Sequence, residues 1–194
     1  MSDIAERYRR RATEFERKVA AVEPDQWSNQ SPCDDWLARD VVGHIVVMHA
    51  AMLAPLGREL TPAPSVADDP LRAFVSARSD VEAVLADAEL SARHIATPGG
   101  GMTVAEHIDQ VVSADLVLHG WDLARATGQD DTIDPVEVEA MWTANTAVPA
   151  EMMEKLRTPG AFGPGVVVFG PEVAVPADAP LQDRLLGSIG RNPY

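Results

Sequence analysis

Apolar residues recur at spacings of three and four along most of this chain, the period of helices that bury one stripe each. Ile4, Tyr8, Ala12, Phe15, Val19 and Val22 form the first stripe and predict a helix from about Asp3 to Val22, ended by Pro24. The turn-rich segment PDQWSNQSPCDDW follows, with Asp34 or Asp35 placed to cap the next helix. That helix is predicted from Trp36 to Leu53. It is apolar on most of its surface, so burial on several sides is expected. The loop PLGRELTPAPSVAD separates it from a third helix, which starts at Asp69 and Pro70 and carries its pattern to about Leu90.

HIATPGGG reads as a turn. Thr103 and Glu106 make a capping box that opens a fourth helix running to about Thr127, where Gly128 can take the left-handed cap conformation. Asp134, Pro135 and Glu137 start a fifth, interrupted at Pro149. After Arg157 the chain turns rich in Pro and Gly, with β-branched runs. These predict an extended segment or a small hairpin of Val166–Phe169 with Val173–Val175, then a short closing helix in LQDRLLGSIGR. The expected fold is mainly α: an antiparallel four-helix bundle with extra C-terminal helices and a small extended or hairpin segment. One domain is expected over 1–194, with a helical core to about 157 and an extension from about 158.

Composition narrows the function classes. The net charge of −14 argues against nucleic acid and against an anionic membrane surface. The single cysteine, Cys33, excludes an internal disulfide and any cysteine-cluster metal site. No stretch approaches the roughly 20 apolar residues of a bilayer span, and the charged N-terminus is no signal peptide. A cytoplasmic location follows as the expectation, with a homodimer as the base expectation for assembly.

Polar side chains on apolar stripes are the informative anomaly. His44 shares its helix face with Leu37, Val41, Val47, Met48 and Ala51. His119 shares one with Ile108, Val112 and Leu123, and Asp115 lies one turn before it on that face. A buried carboxylate is costly alone, and a cation offsets that cost. Carboxylate and imidazole one turn apart, completed by His44 from a neighbouring helix, make a metal set suited to zinc, nickel or iron with open positions. The competing reading is a buried Asp115–His119 ion pair. Asp122, also on this face, can replace Asp115, orient His119 from behind, or pair with Arg125. His49 lies about 140° around the helix from His44 and cannot share its site. With His94 and His107 it reads as surface or structural. Cys33 has no basic neighbour in sequence to activate it and reads as a packed turn residue. The four tryptophans read as core.

The segment from Trp27 through SPCDDW to ARDVVGH, ending in His44, resembles the opening of the DinB/YfiT-like metalloenzyme superfamily. Within it, the closer likeness is to the branch containing the N-terminal domain of mycothiol-dependent maleylpyruvate isomerase. DLVLHGWDLARATG and the tail with FGPGVVV and DAPLQDRLLGSIGRNP resemble an actinobacterial metal-binding subgroup of it. The resemblance implies a four-helix bundle with a divalent metal on three side chains. His44 and His119 match the family's histidines, and Asp115 stands one methylene short of its glutamate. It also implies mycothiol as cosubstrate. The function expected is a metal-dependent thiol S-transferase or isomerase acting on a small-molecule electrophile, with a metal-dependent hydrolase or a non-catalytic metal-binding or interaction protein as alternatives. Arg125 is a weak candidate for contacting an acidic substrate.

Overall fold

Where the sequence repeats every three to four residues the chain is helical: 60% of the described residues lie in helices and 5% in strands. The computed structural model describes residues 3–97, 100–163 and 166–194. Its contacts separate into two compact units, Met1–Asp131 and Thr132–Tyr194. The helices at 135–157, grouped with the core in the sequence reading, fall in the second unit.

In the first unit, α1 (Asp3–Ala20) turns Ala5, Tyr8, Ala12, Phe15 and Val19 inward, the predicted stripe. It packs on α3 (Pro70–Ala86) and α6 (Val112–Thr127), and α2 (Ala38–Leu53) packs on the same two, closing a four-helix bundle. Phe15 meets Phe74 edge to face at 4.9 Å in its core. Directions follow from side-chain pairs. Asn29, ahead of α2, reaches the Ala126 carbonyl late in α6, while His44 lies against Asp115 near its start, so α2 opposes α6. Phe15 and Thr13 meet Phe74 and Arg78 in falling order, so α3 opposes α1. Arg11 bonds Ser113 and Lys18 bonds the Asp130 carbonyl, so α1 and α6 advance together. The antiparallel relation therefore holds for two neighbouring pairs and not for α1 with α6. The segment between α2 and α3 makes this possible. A dozen extended residues reach farther than the roughly 24 Å length of a 16-residue helix.

Several boundaries move for local reasons. Asp34 and Asp35 do not cap α2; Asp40 accepts the Leu37 N–H instead, and the helix starts at Ala38. α3 stops at Ala86 because the Asp87 carboxylate accepts from Glu89 and Leu90 N–H and starts α4 (Ala88–Ala92). The predicted turn at HIATPGGG is a hairpin, β1 (His94–Thr97) with β2 (Gly100–Thr103), Ile95 facing Met102; its Pro98 and Gly99 lie outside the described residues. The fourth helix is two, α5 (Val104–Gln110) and α6, broken at Val111 (φ −106°, ψ −89°). Gly128 ends α6 in the left-handed region at φ 68°.

Thr103 and Glu106 form the expected capping box, the Thr103 hydroxyl accepting the Glu106 N–H and Glu106 accepting the Thr103 N–H. Thr103→Ala should lower stability by about 1 kcal/mol in urea titration.

The second unit holds α7 (Pro135–Thr146), α8 (Ala150–Arg157) and α9 (Leu181–Ser188), with α7 on α9 and Pro149 separating α7 from α8. The hairpin expected at Val166–Phe169 and Val173–Val175 does not form. Phe169 and Val173 donate their N–H groups to the Leu156 and Gly187 carbonyls, at the ends of α8 and α9, instead of to each other. Val173 passes so close that a Cβ on Gly187 would lie 2.7 Å from its carbonyl oxygen. Pro164 and Gly165 of the tail motif lie outside the described residues.

Ala38–Leu56 is long and apolar enough to cross a membrane by length and composition, with a mean hydropathy of 1.2, closer to a span than the sequence reading allowed. In this fold it is a bundle element whose Val41, Val42, Ile45 and His49 are buried.

Candidate metal centre

The opposed course of α2 and α6 brings His44 beside the first two turns of α6. There the candidate donor atoms of His44, Asp115 and His119 all lie within 4.8 Å of one another. His44 Nε2 stands 3.5 Å from Asp115 Oδ2, and the two imidazole rings meet edge to face with centroids 4.7 Å apart. Tetrahedral zinc with N and O ligands near 2.0–2.1 Å would space its donors by about 3.3 Å, close to the 3.5 Å between His44 and Asp115. Asp115 reaches His44 although it is shorter than glutamate. The Val111 break restarts the helix so that Asp115 falls in the first turn of α6, where the helix dipole favours a carboxylate. The His44 and Asp115 side chains keep 27% and 26% exposure, leaving an open approach, while His119 is at 9%.

Behind His119 stands Asp122, wholly buried. Its Oδ2 accepts from His119 Nδ1 at 2.8 Å. A carboxylate cannot donate, so Nδ1 carries the proton and Nε2 is the nitrogen left for a ligand. This carboxylate–histidine arrangement is the one that orients metal-binding imidazoles. Of the three roles open to Asp122 in sequence, the geometry shows the pairing with His119. Arg125 turns away, to Asp131 at 3.2 Å and over the Trp121 ring. Asp122→Asn should lower divalent-metal affinity about 10–100-fold while leaving the far-ultraviolet circular dichroism unchanged.

The loop before α2 supplies two side chains that sequence reasoning placed elsewhere. The Gln30 amide donates to the carbonyls of Ser31, Cys33 and Trp36 at 3.0–3.1 Å, and Asp35 takes a left-handed φ of 62°, as Asp tolerates. This fold of the loop lays the Trp36 ring 4.8 Å from the His44 ring and 5.7 Å from that of His119, so Trp36 is a site residue as much as a core one. It also aims the Cys33 thiol at Asp122 Oδ2, 3.3 Å away. A signal for this contact was absent from the sequence neighbourhood, because Asp122 is 89 positions distant.

His49 is structural and fully buried. Its Nδ1–H donates to the Ile45 carbonyl and its Nε2 accepts from the Tyr8 hydroxyl, both at 2.7 Å. Burial pushes its pKa down to about 4 and that of Tyr8 well above the ordinary value, which keeps both neutral and this polarity in place. His94 is exposed on β1 and His107 lies on α5; neither belongs to the centre.

Residues 8–124 match the family described as mycothiol maleylpyruvate isomerase N-terminal domain. Two uncharacterized proteins of Mycobacterium tuberculosis, MT0763 of strain CDC 1551 / Oshkosh and Rv0738 of strain H37Rv, are each 31% identical over 189 residues, covering 91% of both chains. Among solved structures the chain is similar to mycothiol-dependent maleylpyruvate isomerase and to a histidine-to-alanine mutant of it. The TM-scores are 0.52 and 0.53 at 15% identity, over 81% of this chain and 73% of those, a likeness of fold.

Proposed function

Given that the chain belongs to the mycothiol maleylpyruvate isomerase N-terminal domain family, we propose that it is a divalent-metal protein that uses a low-molecular-weight thiol of the mycothiol type, in S-transfer to, or isomerisation of, a small electrophile. The observation that carries this reading is the convergence of His44, Asp115 and His119 within 4.8 Å, with two of the three open to solvent. These residues would hold the ion, zinc by preference for their N and O donors. A bound divalent ion supplies a Lewis acid beside which a thiol is held as thiolate.

The chain's own groups do the rest. Asp122 fixes the ring plane and tautomer of His119. The buried Ile45–His49–Tyr8 bonds brace α2 against α1 one turn beyond His44. Trp36 shields one side of both imidazoles, leaving a thiol to enter at the exposed edge of His44 and Asp115. The open approach and the acidic, cation-poor chain suit a small molecule in the cytoplasm rather than nucleic acid.

Protein purified without a metal-affinity step should carry about one equivalent of divalent metal. It should also accelerate loss of free thiol when mycothiol is mixed with monochlorobimane, and chelation should abolish that rate. Metal without thiol chemistry across a broad electrophile panel would favour a metal-binding protein without catalysis; absence of metal would overturn the reading.

A further inference from the structure

Cys33, Asp122 and His119 form a second cluster of chemically distinct donors, whose candidate ligand atoms also lie within 4.8 Å of one another. Asp122 is fully buried and His119 nearly so, while Cys33 is half-buried at the edge of the loop, so a path to solvent exists on one side. The contacts are Sγ to Oδ2 at 3.3 Å and Nδ1 to Oδ2 at 2.8 Å. Zinc-like coordination, with sulfur near 2.3 Å and nitrogen and oxygen near 2.0–2.1 Å, spaces such donors by about 3.3–3.6 Å. These two pairs reach that spacing by opening by up to about half an ångström, and the third, Sγ to a His119 ring nitrogen, lies within 4.8 Å.

We propose that Cys33, Asp122 and His119 make a second cation position, for a thiophilic divalent ion, set behind the first centre and joined to it through the two nitrogens of the His119 ring. The first position offers only nitrogen and oxygen; the second adds a thiolate, which selects soft ions over magnesium or calcium. Without an ion the three groups are closed by their mutual hydrogen bonds. Coordination replaces those bonds, and the thiol and Nδ1 protons pass to solvent. The turn holding Cys33 is fixed by the Gln30 amide, so the sulfur is already placed and only the side chains move.

The test uses Cd2+ as probe on the full chain stripped of metal. In wild type, Cd2+ should bring up the ultraviolet charge-transfer band of a cadmium–thiolate bond. Cys33→Ser should abolish the band and remove one bound equivalent. A His44→Ala/Asp115→Ala double variant, which dismantles the first position, should keep the band. Thermal melting of each variant identifies misfolding, and Asp122→Asn then serves as the second variant, with a weakened band expected. Cadmium bound without the band in wild type overturns the proposal. So does a band that disappears in the double variant, because Cys33 would then belong to the first centre. The outcomes separate from those of the proposed function, whose failure is that His44→Ala and Asp115→Ala bind as many equivalents of metal as wild type.

Discussion

His119→Ala is expected to release the divalent ion altogether, with affinity falling by more than the 10–100-fold typical of an outer partner's loss. His119 is the ring on which everything converges: Nδ1 is held by Asp122, Nε2 is the nitrogen left for the first centre, and Trp36 lies against the ring. His44→Ala should have the same sign, because it removes the only donor that α2 gives that centre. His49→Gln should keep its metal, since both nitrogens of His49 are spent on Ile45 and Tyr8. Metal content by mass spectrometry, on protein purified without a metal-affinity step, decides this. Equal retention in all three variants would defeat the assignment of the centre.

Acidification from pH 6.5 to 4 is expected to remove up to roughly 3 kcal/mol of folding stability through His49 alone. Burial is the main cause of its low pKa, opposed by the Ile45 hydrogen bond. The unfolded chain takes up a proton below about 6.5, whereas the native ring stays neutral until about 4. Over that window the unfolded state binds more protons, so stability rises with pH there, is fully present above 6.5 and is lost as pH falls. Protonation would also destroy the acceptor that Tyr8 needs, as the buried phenol is held neutral by its own raised pKa. Urea unfolding at a series of pH values should show the steeper slope in wild type and a flatter one in His49→Gln. Parallel slopes in the two proteins would sink the argument.

The helical plan was readable because it rests on local chemistry. The stripe of α1, the Asp69–Pro70 start, the Thr103–Glu106 box and the Gly128 stop each depend on residues within a turn or two. The residues of the centre were legible for a similar reason: a histidine or aspartate on an apolar stripe must be answered by something. What the sequence could not give was competition between distant partners. Arg125 was the natural local mate for Asp122, but the folded chain offered the carboxylate His119 and Cys33, and left Arg125 to Asp131. The valine run at 166–168 reads as strand by propensity, yet Val166 bonds Gly160 and Gly163 in the turn before it, and Phe169 bonds the Leu156 carbonyl, rather than a partner strand. The hairpin formed instead between His94–Thr97 and Gly100–Thr103, where Ile95 meets Met102. The direction of α1 relative to α6 likewise depends on the long crossing between α2 and α3, which carries no periodic signal.

The ring of Trp36 leans on both imidazoles of the first centre from less than 6 Å. An indole that close to a coordination position is an optical gauge built into the protein. A paramagnetic ion such as Cu2+ or Ni2+ seated between the histidines would quench its emission at contact range, so titrating such an ion against Trp36→Phe would read site occupancy without a label.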